Sequence, residues 1–267
     1  MDLSKIRIGN QTCCNVQAHV PYEFAIHHKF NSFEWFSDKG KFGWCEDDTS
    51  IIKRVELHNA AMKHGIKFSV HAPHAANPTT QSGTEAILKS IRFGGDIGAD
   101  LVNVHMLPGH NAKQFAESLL PLLELGHRMG IRISLENTPQ TSPDHFNAVF
   151  GVLSGMGLGA NIIGMCLDSG HANLFEGTHN NYLNFIDQLG KHVPIIHWHA
   201  HENWGDRDSH LPLFTGPSAI DDSGLWGLIQ RLNQRKFEGS VVFEQWPNPP
   251  EVLLETRRRL EKMMSEA

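Results

Sequence analysis

The segment IIHWHAHENWGDRDSH (195–210) begins as an apolar run, carries His197, His199 and His201 at alternate positions, and ends on Asp208-Ser209-His210. Imidazole nitrogen and carboxylate oxygen are the protein groups that bind divalent metal ions. The same types recur at the ends of other short apolar runs. SVHAPH carries His71, NVHM carries His105, SLENT carries Glu136, CLDSGHA carries Asp168 and His171, and VFEQ carries Glu244. Each alone has a plain structural reading: a histidine at a strand end is often a hydrogen-bonded packing group, and an Asp or Glu there can cap the next helix. Their recurrence at one level of successive strands argues for more. Converging carboxylates repel unless they are protonated or neutralised, and a divalent cation resolves the repulsion. The expected chemistry is that of a metal centre.

Such a centre needs elements that deliver one polar residue each to a common rim. Eight β-branched or aromatic runs meet this need: 6–12, 32–37, 67–72, 101–106, 132–137, 163–168, 195–200 and 240–245. Helix-like segments lie between them, several ending on a glycine suited to a helix C-cap, as at Gly65. Strict alternation of strand and helix predicts a parallel sheet. Eight repeats in a chain of 267 residues predict a single (β/α)8 TIM barrel over 1–267, with its site at the C-terminal ends of the strands. A doubly wound open sheet is the alternative, but no strand is followed by a glycine-rich dinucleotide loop; GGDIG (94–98) sits inside a helical pattern. The stretch GMGLGANIIG (155–164) reads as a flexible connection before the sixth strand.

Period two puts His197, His199 and His201 on one strand face and Trp198 and Ala200 on the other. With the histidine face turned into the barrel, His199 is level with Glu136, Asp168 and Glu244 and is the expected ligand. His197 lies below it as a packed group. His201 lies above it, touching substrate or solvent.

The composition, 40% hydrophobic and 19% charged, suits a sizeable core. A net charge of −6 does not favour a polyanionic partner. The start, MDLSKIRIGN, lacks the apolar region of a signal peptide, and no run approaches the ~20 apolar residues of a membrane helix. The four cysteines form no C-x-x-C pair and read as reduced thiols, which points to a cytoplasmic protein. Eighteen histidines are many for this length. A homo-oligomer is compatible with these features.

The ordered set SVHAPH, NVHM, SLENT, CLDSGHA, HAHEN, DSHLPL and VFEQ resembles the xylose isomerase-like TIM-barrel superfamily over nearly the whole chain. That group holds sugar and sugar-phosphate isomerases and epimerases as well as the endonuclease IV family (AP endonuclease family 2). The resemblance implies a metal quartet of Glu136, Asp168, His199 and Glu244, common to both branches. In the nuclease branch it implies three zinc ions, one on His71, His105 and Glu136, one on the quartet, and one on His171, Asp208 and His210. In the epimerase branch it implies one ion (Zn, Mn, Co or Mg) on the quartet, Glu136 and Glu244 doubling as acid and base, and His171 touching substrate. The nuclease pattern has no counterpart here for its basic, glutamine-rich DNA loop, since 37–48 reads SDKGKFGWCEDD, and 71–83 lacks the aromatic wedge. DNA is therefore not the expected partner.

Two chemistries follow. In the first, a divalent ion polarises a carbonyl and its neighbouring hydroxyl while a carboxylate removes the α proton, giving an enediolate that the ion stabilises. In the second, two or three zinc ions clamp a phosphoester and generate hydroxide. Four ligand carboxylates carry about −4, so three divalent ions leave about +2, suited to phosphate, and one leaves about −2, suited to a neutral polyol. Rim cations are few: Lys39, Lys41, Lys113 and Arg207. A duplex groove needs clustered cations. Trp35, Phe36, Trp44, Trp204 and Trp246 instead suggest faces for the C–H surface of a sugar, with Trp35, Trp204, His171, His201 and Arg207 as candidate substrate contacts. A barrel that only binds a small molecule is the non-enzymatic alternative. The preferred expectation is a metal-dependent isomerase or epimerase of a small sugar, sugar phosphate or related polyhydroxy carbonyl compound.

Overall fold

The computed structural model describes residues 1–37, 45–109 and 111–267. Eight parallel strands close into a barrel in sequence order: β1 (Ile6–Gln11), β2 (Ser32–Phe36), β3 (Lys67–His71), β4 (Leu101–His105), β5 (Arg132–Glu136), β6 (Ile163–Asp168), β7 (Ile195–His199) and β8 (Gly239–Phe243). The expected TIM barrel is the observed architecture. Six expected strands run one residue past the observed end, at Thr12, Ser37, Ala72, Met106, Asn137 and Ala200, and all of these but Asn137 still donate an amide to the neighbouring strand; the expected 240–245 begins one residue late and runs two past β8. Glu244 thus follows β8 directly.

Around the barrel lie α1 (His19–His27), α2 (Ile51–His64), α3 (Gln81–Ile97), α4 (Ala112–Met129), α5 (Pro143–Gly155), α6 (Ser169–Leu174), α7 (Tyr182–Gln188), α8 (Ser223–Gln234) and α9 (Val252–Glu266). Side-chain N-caps start α2 to α5: Ser50, Thr80, Asn111 and Ser142 each accept the amide N–H three residues on. Gly65, Gly98 and Gly130 end α2, α3 and α4 at left-handed φ of 68°, 76° and 71°. The core lies between barrel and helices, where Ile87, Ile91, Leu119, Phe146, Leu228 and Leu260 meet the outward faces of the strands. No helix among the described residues is long and apolar enough to cross a membrane.

From β3 to β7 the outward phase is apolar, while the inward phase is mostly polar toward the strand ends. Ser69, Asn103, Ser134, Cys166 and His197 sit two residues before His71, His105, Glu136, Asp168 and His199, and every one of these ten but His105 is fully buried. TIM-barrel interiors are ordinarily filled by branched aliphatic layers. Here two stacked polar layers replace them at the C-terminal end.

Candidate metal centre

Parallel pairing joins the upper layer in pairs, with a stagger between them that sets His71 opposite Asn103 and Glu136 opposite Cys166. His105 pairs with Glu136 across β4 and β5, and Asp168 pairs with His199 across β6 and β7. Glu136 is the hub. Its Oε2 accepts from His71 Nε2 at 3.1 Å and from the Asn103 amide, and lies 3.3 Å from His199 Nδ1. Its Oε1 has His105 Nε2 at 3.4 Å and His171 Nδ1 at 3.3 Å. Asp168 reaches His201 Nε2 at 2.9 Å and caps α6 by accepting the His171 N–H at 2.6 Å. Glu244 Oε1 lies 3.1 Å from His199 Nδ1.

The remaining donors arrive by tertiary folding. After β7 the chain turns back, and an antiparallel bridge pairs Glu202 with Leu211. The Glu202 carboxylate anchors this loop by accepting the amides of Thr215, Gly216 and Ser218. Asp208 Oδ2 is thereby set 3.2 Å from His171 Nε2 and 3.0 Å from His210 Nε2. His210 adopts φ of 44°, an uncommon value for a residue with a Cβ. Gly170 permits the packing beside it, since a Cβ there would fall 2.1 Å from the His201 ring.

The electrostatics describe carboxylates held ionised by imidazoles. Burial alone would raise Glu136 and Asp168, but His199 and His105 beside the first, and His171 and His201 beside the second, pull both below the usual range. Asp208 is lowered in the same way by His171 and His210. Burial pushes His71 and His210 down, yet hydrogen bonds to Glu136 and Asp208 bring each up to about 9.

Whether these groups fit a metal is answered by the atoms left over. Glu136 Oε1, His199 Nδ1 and His201 Nδ1 are buried and form no hydrogen bond. Orphaned buried polar atoms are costly and rare; His199 Nδ1 lies 3.3 Å from Glu136 Oε2 and 3.1 Å from Glu244 Oε1, where an ion would use all three. Ligand atoms of His71, His105 and Glu136 lie within 4.8 Å of one another, as do those of His71, His199 and Glu244 and those of His171, Asp208 and His210. The donor set, imidazole and carboxylate, suits zinc, manganese or cobalt.

Of the candidate substrate contacts, Trp35 is corrected. It points out of the barrel, fully buried against Tyr22, Phe33 and Phe68, with ring centroids at 5.3, 5.1 and 5.8 Å. The sequence carried the signal: in SFEWF, Phe33 and Trp35 share one phase and Glu34 the other. His201 is buried against Asp168, so of its two expected contacts, substrate and solvent, solvent is excluded. Trp204 is half exposed and lines a cavity of about 460 Å³ with Tyr182, Asn203 and His201. Arg207 is exposed and makes no ion pair among the described residues. Phe36 stands edge-on to His71 at 4.6 Å, Trp246 packs on Phe24 at 5.3 Å, and Lys113 lies 3.8 Å from Glu117. Lys39, Lys41 and Trp44 lie outside the described residues.

The sequence reading missed Glu34 and Asn103. Glu34 is the one charged residue of an apolar strand, and Asn103 stands two places before a ligand. Cys166 is a buried free thiol within 4.8 Å of donor atoms of His197 and His199.

Comparison with known proteins agrees with this architecture. An uncharacterized protein of Methanocaldococcus jannaschii is 25% identical over 207 residues, covering 68% of this chain and 65% of its own length, just under two thirds. A D-tagatose 3-epimerase-like protein superposes with a TM-score of 0.75 at 20% identity, covering 97% of both chains. A 3-keto-D-glucoside 4-epimerase from E. coli gives 0.66 at 14% identity, covering 97% of this chain and 100% of that one. At such identities the likeness is one of fold. The family model described as xylose isomerase-like TIM barrel matches residues 22–263, and the chain belongs to that family.

Proposed function

We propose that the chain is a metal-dependent isomerase or epimerase of a small sugar, sugar phosphate or related polyhydroxy carbonyl compound. One observation carries this reading: two buried carboxylates from different sides of the barrel converge on one point. Glu136, at the end of β5, and Glu244, after β8, lie 3.3 and 3.1 Å from His199 Nδ1. A carboxylate on one side can remove the proton α to a carbonyl, and its counterpart can return a proton from the other side. Return to the opposite face of the same carbon gives an epimer; return to the neighbouring carbon exchanges aldose and ketose. Asn103 and His71 fix the Glu136 carboxylate, so its orientation does not depend on substrate. Glu136, Asp168, His199 and Glu244 would hold a divalent ion, which would supply Lewis acidity toward the carbonyl and adjacent hydroxyl oxygens. The names of the similar epimerases support the substrate class.

The test is solvent deuterium incorporation into candidate ketoses by mass spectrometry, with and without chelator. Chelator-sensitive exchange lost in Glu136→Gln and Glu244→Gln is the expected result. Absence of exchange and of conversion across ketoses and their phosphates, by metal-loaded protein, sinks the proposal.

A second reading, a trinuclear phosphoester hydrolase, is favoured by the two outer clusters, His71–His105–Glu136 and His171–Asp208–His210. Metal content per chain, measured beside incision of a duplex with an abasic site, separates it from the first.

A further inference from the structure

We infer that Glu34 is a positioning residue for the metal centre: its carboxylate holds the proton of His199 on Nε2 and thereby presents Nδ1 to the ion. Glu34 lies mid-way along β2, fully buried. Its side chain crosses the barrel interior to β7, a strand that is not its neighbour in the sheet. There Oε1 accepts from His199 Nε2 at 2.9 Å, and Oε2 accepts from His197 Nε2 at 2.9 Å and from Ser69 Oγ at 2.7 Å.

An ionised carboxylate only accepts hydrogen bonds. Both imidazoles must therefore bring a proton to it on Nε2. A ligand imidazole must be neutral and then has one N–H, so in the metal-binding form His199 has its lone pair on Nδ1. That atom is buried, has no hydrogen-bond partner, and faces Glu136 Oε2 and Glu244 Oε1. The nitrogen left free by Glu34 is the one aimed at the converging carboxylates. Outer carboxylates that orient ligand histidines raise ligand basicity, and their loss typically lowers metal affinity about 10–100-fold. His197 occupies the second Glu34 oxygen and keeps the carboxylate from turning.

This inference rests on the metal reading but not on the identity of the reaction, and its test uses zinc rather than turnover. Glu34→Gln keeps the shape but offers one acceptor oxygen to three donors. Its amide N–H2 must then face an imidazole or Ser69. Zinc titration by calorimetry, with refolding checked by circular dichroism, should show affinity falling about 10–100-fold, with partial recovery in Glu34→Asp. A long-range proton–nitrogen spectrum of the zinc-loaded natural sequence, labelled at histidine, should place zinc on Nδ1 and the proton on Nε2 of His199. That spectrum needs no variant, so the inference stays testable if Glu34→Gln fails to fold. Zinc on Nε2 overturns it, as does a folded Glu34→Gln whose zinc affinity stays within two-fold of the natural sequence. Failure of the chain to take up zinc at all overturns the metal centre itself. Failure of every sugar substrate, with the zinc results as expected, overturns only the proposed reaction.

Discussion

His210 stacks on His201 with ring centroids 4.0 Å apart and planes 6° from parallel. The stack couples the loop after β7 to the centre of the barrel, since His201 is bonded to Asp168 and His210 to Asp208. Its consequence depends on the number of ions. With one ion on the quartet, Asp208→Asn with His210→Gln leaves metal content unchanged. Substrate KM then rises about ten-fold, the size of one lost hydrogen bond to a charged group. Loss of one equivalent from three in elemental analysis contradicts the one-ion reading.

Glu136→Gln and His199→Ala should each empty the quartet, because each removes a donor that no neighbouring group replaces. Glu136→Gln also leaves His71, His105 and His171 facing an amide instead of a carboxylate. Elemental analysis of protein purified without chelator checks this; full metal content in both variants refutes the assignment.

The metal-free protein should lose stability as pH rises from about 6.5 to about 9. His71 and His210 are raised to about 9 by their carboxylate partners in the fold, while in the unfolded chain they titrate near 6.5. Groups bound more tightly to protons when folded contribute fully below about 6.5, and that contribution is gone above about 9. Metal affinity moves the opposite way, since ligand imidazoles must be neutral. Thermal melts of stripped protein at pH 6 and pH 9, beside zinc titrations at the same values, read both signs. A stripped protein that melts higher at pH 9, together with zinc affinity no greater there, is the contrary outcome.

Trp35→Ala should cost about 3–5 kcal/mol of stability, as for a large core aromatic, while Trp204→Ala should cost under about 1 kcal/mol because its side chain is half exposed. Denaturant melts measure both. Equal costs would place Trp35 at the surface, against its packing on Tyr22 and Phe68.

Tight, salt-dependent binding to duplex DNA with an abasic site is not expected. Among the described residues of the rim, Arg207 makes no ion pair and Lys113 lies beside Glu117, short of the clustered cations that phosphate contacts need. Chelator-sensitive incision of that duplex would replace the proposed reaction by the second reading.

The sequence alone determined the barrel and the upper layer of the site. Strand spacing sets the number of βα units, and period two with parallel pairing forces residues at strand ends onto one rim. His71, His105, Glu136, Asp168 and His199 needed only those local rules. What the tertiary structure decided involves partners far apart in the chain or a choice of face. Glu34 meets His197 and His199 from 163 and 165 residues away. Asp208 and His210 reach His171 only because Glu202 anchors a loop that doubles back. Trp35 turns outward because one residue of phase separates the polar interior from the helical layer. Periodicity fixes which residues share a face, but closure of the barrel decides which face is inside and what it meets there.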